Sequence, residues 1–319
     1  MDFITQGVVG AAAAQAFLHK QDKHNAWLVG ALAGMAADLD VFIQSASNPM
    51  LFFLYHRQFT HSFLFIPVGA LLVTLILLMF KRFRKNWRLT LLAAVIGYAT
   101  HGLLDACTAY GTVLFWPFSD ERVSWDIISI IDPFVTIPLF IGLVWTYTFD
   151  QKQGVILALI FTSSVMTFHV FQHHRALAAI RSEVKKQQLV ATKIRALPKI
   201  ASSTSWKGIA INNRLLVFEV ITPLFKTTEI KFIKNYPLFL PDALPEYVKK
   251  SPTLLSDFKI FIWFSEGYLI LVKTFPLLIA DGRFLYDENF SISLWGIQFL
   301  PNRAHVKAIH DIEVDKPTQ

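Results

Sequence analysis

Eight side chains in this 319-residue sequence have types and spacings suited to handling a cation and a water: Asp38, Asp40, His56, Arg57, His61, His101, Asp105 and Asp132. His101 and Asp105 are four apart, so on a helix they share one face. Asp38 and Asp40 are two apart and cannot share a helical face, so they belong on a turning helix end from which both can reach one site. His56 and His61 are five apart, which suits a turn leading into a helix. Imidazole nitrogen mixed with carboxylate oxygen is a donor set for zinc or a similar divalent ion. Carboxylates crowded at short range repel unless a cation lies between them. Taken one at a time, each residue has a plainer reading: Asp38 as a polar helix end, His101 as a packing histidine, Asp132 before Pro133 as a helix cap. Arg57 can pair with Asp38 or Asp40, or grip a phosphate with its two-pronged guanidinium. Thr60 and Ser62 read as caps of the following helix, not as nucleophiles.

The elements that position these groups are hydrophobic. The chain is 54% apolar and 17% charged, with a mean hydropathy of +0.44. A soluble globule is nearer 45–50% apolar and about 25% charged, so disorder, a coiled coil and an ordinary cytosolic enzyme are excluded. Four stretches have the ~20 apolar residues a bilayer crossing requires: Phe63–Phe80, Leu89–Cys107, Ile127–Phe149 and Gly154–Phe171. Ahead of them, Phe3–Leu18 and Ala26–Ile43 are rich in Ala and Gly, as expected of a tightly packed helical hairpin. The fold expected is an α-helical polytopic membrane domain of about six helices over residues 1–171. A surface helix and linker (172–205) and a small antiparallel β domain (206–319) follow it.

Charge gives the expected orientation. The loop Lys81–Arg88 holds five basic residues and no acid, which places it in the cytoplasm. With strict alternation, the eight side chains collect at the outer membrane face, and the C-terminal domain lies outside the cytoplasm. A charge near the centre of a membrane helix costs about 2.5–3.5 kcal/mol, so His and Asp arriving at one face from five stretches is the strongest functional signal in the chain. Residues 1–171 carry ten Lys/Arg and ten Asp/Glu, while the remainder carries twenty and thirteen. The global charge of +7 therefore resides in the tail and does not indicate nucleic acid, for which no platform or helix motif occurs.

Several residues carry less weight. Cys107, the single cysteine, excludes an intramolecular disulfide and reads as a buried small residue. His19 and His24 are expected at the surface, the adjacent His173 and His174 point about 100° apart on a helix, and His305 and His310 lack partner spacing. In the tail, Gln172–Ile194 has helical spacing up to Pro198. Gly208–Ile211 with Leu215–Ile221 reads as a hairpin around Asn212-Asn213, and Lys259–Phe264 with Tyr268–Thr274 as a second one. Phe290–Phe299 and Ala304–Val314 supply further strands.

Ala37-Asp38-Leu39-Asp40, His56-Arg57-Gln58-Phe59-Thr60-His61-Ser62, His101-Gly102-Leu103-Leu104-Asp105, Gly111-Thr112, Pro117-Phe118 and Asp132-Pro133 occur in this order. This set resembles the YdjM-type membrane-bound metal-dependent hydrolases of the inner membrane, which are thought to be distant relatives of zinc-dependent phospholipases C and nucleases. The resemblance implies a divalent metal, zinc by preference, with Asp40, His56, His61, His101 and Asp105 as ligands and Asp38, Arg57 and Asp132 in catalytic roles. It further implies an activated water acting on a phosphoester, with membrane lipids as the natural partners. The β domain is a candidate surface for a protein partner. One departure matters: relatives commonly begin with Asp-x-x-Thr-His, whereas here Asp2 is followed by Thr5-Gln6, and an amide is a poor zinc ligand. Relatives also often have Pro where Ala37 stands. The rival readings are an ion- or proton-coupled transporter component and a noncatalytic scaffold whose metal only staples helices.

Overall fold

A computed structural model describes residues 1–314, which divide into two compact units. The first comprises Met1–Phe42, Arg57–His173 and Pro198–Ser203; the second comprises Ile43–His56, His174–Leu197 and the chain from Thr204 onward.

The first unit is helical. Helix α1 (Phe3–Asp22) starts where the Asp2 carboxylate accepts the Thr5 amide, and it pairs with α2 (Ala26–Ala36) as the expected hairpin. Small residues allow this approach: a Cβ on Gly10 would lie 2.4 Å from the Gly30 carbonyl oxygen. A Cβ on Gly97 would lie 2.3 Å from the same oxygen, so a third helix joins the contact. After α2 the chain tightens into a 3-10 turn, Ala37–Phe42, which is the turning helix end that the Asp38/Asp40 spacing requires.

Helix α3 (Met50–Tyr55) belongs to the second unit. The first unit resumes with short 3-10 turns and α4 (Ile66–Leu77), α5 (Lys81–Arg84) and α6 (Trp87–Ala106). Helices α7 (Pro133–Phe149) and α8 (Gln153–Lys186) follow. Two of these, α6 and α8, are long and apolar enough by themselves to cross a membrane. The run Ile127–Phe149, expected as one span, is helical only from Pro133. Asp126 has φ 56°, the amides of Ile127 and Ile128 bond to the Cys107 carbonyl, and Asp132 caps a helix whose N1 residue is proline. The run Phe63–Phe80 likewise yields only a 12-residue α4 behind a 3-10 turn. Apolar composition fixed neither boundary, because capping and proline decide where a helix can begin.

The second unit is an antiparallel β structure with two further helices, α9 (Glu246–Lys249) and α10 (Pro252–Phe264). One sheet has the order β1 (Lys193–Pro198), β2 (Ser205–Ile211), β3 (Arg214–Ile221) and β4 (Glu229–Pro237). The other joins β5 (Leu269–Lys273), β6 (Leu278–Asp281), β8 (Ile292–Gln298) and β7 (Leu285–Tyr286), with β9 (Lys307–Glu313) on β8. The hairpin expected around Asn212-Asn213 forms, with Ile211 opposite Leu215 and three residues between them.

Two expectations are overturned here. Lys259–Phe264 is the end of α10, not a strand. Ser251 caps that helix, Pro252 opens it, and Leu254, Phe258, Phe261 and Phe264 bury one face at helical spacing. A six-residue apolar run read alone does not separate the two periods. The helix expected through Ile194 stops at Lys186; Gln188 takes φ 56°, and β1 begins at Lys193. Phe53 of α3 packs edge-on to Phe261 and Phe264 and near Trp295, so the segment between the Asp-x-Asp and the His-Arg motif is part of this core.

Candidate metal centre

Four side chains of the first unit converge. The 3-10 turn after α2 brings Asp38, the turn Phe59–His61 brings His61, and α6 brings His101 and Asp105. His61 Nε2 lies 3.4 Å from Asp38 Oδ1 and 3.1 Å from Asp105 Oδ2. His101 Nε2 lies 3.4 Å from each of the same two oxygens, and the two Nε2 atoms are 2.9 Å apart. A tetrahedral zinc with bonds of 2.0–2.1 Å sets its donors about 3.3 Å apart. Five edges of 2.9–3.4 Å among four donors therefore approximate the coordination polyhedron itself.

Both imidazoles are held from behind. His101 Nδ1 meets the Gly34 carbonyl at 2.5 Å. His61 Nδ1 lies 3.3 Å from Asp40 Oδ2 and 2.9 Å from Thr60 Oγ1. Gly34 O can only accept, so His101 carries its proton on Nδ1 and turns the Nε2 lone pair toward the centre; Asp40 fixes His61 in the same sense. Asp40 is itself anchored, accepting the Arg57 amide at 2.9 Å and the Thr60 hydroxyl at 2.8 Å. The Tyr98 hydroxyl donates to the Thr60 carbonyl at 2.8 Å and pins this turn against α6.

The orphaned oxygen of Asp105 is the clearest sign of a cation. Asp105 is fully buried, and among the described residues its Oδ2 has no hydrogen-bond donor although two imidazole nitrogens face it. Two carboxylates and two imidazoles inside a helical core are unfavourable without a positive charge among them. Arg57 supplies part of it. Its Nη2 lies 3.3 Å from Asp105 Oδ1, its Nη1 donates to Thr108 at 3.1 Å, and its guanidinium sits 4.6 Å from the centre of the Tyr110 ring. The Met1 amino group also contacts Asp105 Oδ1. Arg57 holds φ 63°, a conformation uncommon outside glycine, while its carbonyl accepts from Val113.

The expected residues thus sort by position. Asp38, His61, His101 and Asp105 form the donor cluster, with Asp40 behind His61 and Arg57 beside Asp105. His56 ends α3 in the second unit, where it stacks on Phe52 with ring centres 5.0 Å apart. Asp132 stands apart from the cluster, capping α7 and lying 3.6 Å from His169. Gln6 is fully buried on the centre. Its Nε2 donates to Asp105 Oδ1 at 2.9 Å, and among the described residues its Oε1 has no partner. Sequence reading missed Gly34 and Tyr98, which act through or on backbone carbonyls, and Thr60, expected as a cap, instead gives its hydroxyl to Asp40 while Ser62 makes the cap bond.

Fold and site together define a helical membrane protein with a buried His/Asp centre able to hold a metal ion. A family model described as the YdjM inner membrane protein matches residues 1–176, and the chain belongs to that family. No curated protein and no solved structure matches it.

Proposed function

We propose that this chain is a metal-dependent hydrolase of the inner membrane acting on a phosphoester of a lipid or lipid-linked substrate. The observation that carries this reading is the near-tetrahedral set of Asp38, His61, His101 and Asp105 with Asp105 Oδ2 unpartnered. A divalent ion, zinc by preference, supplies the acidity that makes water a nucleophile near neutral pH and polarises a phosphoryl oxygen. The chain's own groups do the rest. Asp40 and Gly34 hold the two imidazoles in one tautomer, and Arg57 lies alongside with a guanidinium suited to a phosphate oxygen. Asp38, partly exposed where its three neighbours are buried, is the edge from which substrate and water approach. The loop charges support a centre facing away from the cytoplasm, with the C-terminal domain on that side.

The test is phosphate release from lipid phosphoesters in mixed micelles by detergent-purified protein. Activity should vanish on chelation, return with zinc, and fall by about a hundredfold or more in His101→Ala, as when a principal catalytic element is removed. A rate untouched by chelation would refute the assignment.

A further inference from the structure

A second constellation lies elsewhere in the first unit. His169, on α8, is buried between two oxygen-bearing side chains. Its Nδ1 is 3.6 Å from Asp132 Oδ2, and its Nε2 is 2.6 Å from Ser203 Oγ. Asp132 is buried; its Oδ1 accepts the Phe134 amide, and among the described residues no donor stands within hydrogen-bond distance of Oδ2, which leaves it to the imidazole. Ser203 is partly exposed. The carboxylate can only accept, so the imidazole proton belongs on Nδ1 and Nε2 is left to accept the serine hydroxyl. That order, a reachable hydroxyl, a shielded imidazole and a buried carboxylate behind it, is the arrangement by which a serine is made nucleophilic. The 3.6 Å step is loose, as such contacts often are without substrate.

We infer that Ser203, His169 and Asp132 form a nucleophilic site for carboxylic esters of apolar acyl chains, separate from the metal centre. Ser203 Oγ attacks the ester carbonyl carbon as its proton passes to His169 Nε2. The bond to the alcohol oxygen then breaks, and the alcohol leaves with that proton. Water repeats the sequence on the acyl-serine, releasing the acid and restoring the hydroxyl, so ester and water give acid and alcohol with no further reagent. Asp132 is a positioning residue that keeps the imidazole in the accepting tautomer. The acyl preference follows from the partly exposed apolar side chains beside the site: the Phe168 ring centre is 6.2 Å from that of His169, and Met166 lies three residues before His169 on α8. Thr5 and Gln6 of α1 divide the two sites, Thr5 touching Thr136 of α7 and Gln6 bonding Asp105.

The probe is an alkyl fluorophosphonate applied to the full-length protein in detergent, where a serine oxygen displaces fluoride and keeps the phosphonyl group. Peptide mass analysis should find the adduct on Ser203, absent in Ser203→Ala and retained in Ser202→Ala. The labelling rate should drop at least about a hundredfold in His169→Gln. In Asp132→Asn it should drop and change its pH profile, which loss of a helix cap alone would not cause. Chelation should leave the rate unchanged, which separates this site from the metal centre. An unlabelled Ser203 in protein that elutes as wild type, a rate indifferent to His169→Gln, or labelling abolished by chelation would each overturn the inference.

Discussion

At the scale of single residues, the centre is set as much by the groups that hold the four donors as by the donors themselves. Asp40 and Thr60 hold His61 as a unit, and such supporting partners typically change metal affinity by 10–100-fold. Asp40→Asn should therefore raise the zinc dissociation constant by about that factor while leaving the protein folded, as competition with a chromogenic chelator would show. Gln6 offers the converse test. It occupies a buried position on Asp105 with an unpartnered amide oxygen, and an imidazole there would be a better donor. Gln6→His should slow metal loss to a chelator; faster loss would mean the position serves Asp105 alone. The four residues that come together stand out in the sequence because His and Asp are rare in apolar stretches, although Asp38 is expected in a catalytic role and Asp40 and His56 as ligands. Which donor takes which place is not legible there. Asp38 and Asp40 differ only in which way a 3-10 turn aims them, and Asp132 is indistinguishable by type from a ligand until His169 is found beside it.

At the scale of elements, close helix contacts hold the centre in place. Gly102 lies on α6 between the two donors, and a Cβ there would fall 2.3 Å from the His61 carbonyl oxygen. Gly102→Ala should push the His61 turn away from α6 and weaken metal binding with little loss of helix content. Gly97→Ala would strike the Gly30 carbonyl at a similar distance and should cost about 1–3 kcal/mol, the usual penalty of overpacking, read as a lower thermal midpoint in detergent. The Ala/Gly-rich hairpin could be read in advance because only small residues permit such approach. The starts of α4 and α7 are marked only by local signals, Ser62 and Asp132 as caps and the prolines that follow them, set within otherwise continuous apolar runs that read as longer spans. The strand assigned to Lys259–Phe264 failed for a related reason: its helical face includes Leu254 and Phe258, outside the run that was read.

At the scale of the whole molecule, two units of different chemistry share one chain. The β unit has its own charged core, in which buried Arg283 meets Asp281 at 2.7 Å and Glu266 at 2.5 Å and also donates to the Phe264 carbonyl. Two tail histidines that lacked any partner spacing also find partners there: His305 lies 3.1 Å from Asp257, and His310 meets Trp295 edge-on with ring centres 4.4 Å apart. Removing one member of a buried ion network costs about 3–5 kcal/mol. Arg283→Met should lower the stability of the β unit by that order in a melt, with the zinc content of folded protein unchanged. The basic excess of the tail belongs to this unit, so the charge of the whole chain says little about the centre. The central claim is that the four donors hold a metal, and metal analysis of full-length protein purified in detergent tests it most directly. Wild type should carry a stoichiometric divalent ion, and His61→Ala and Asp105→Ala should carry about a tenth of it or less at unchanged elution. Wild type without such an ion after growth in zinc, or variants that bind it equally well, would contradict the account.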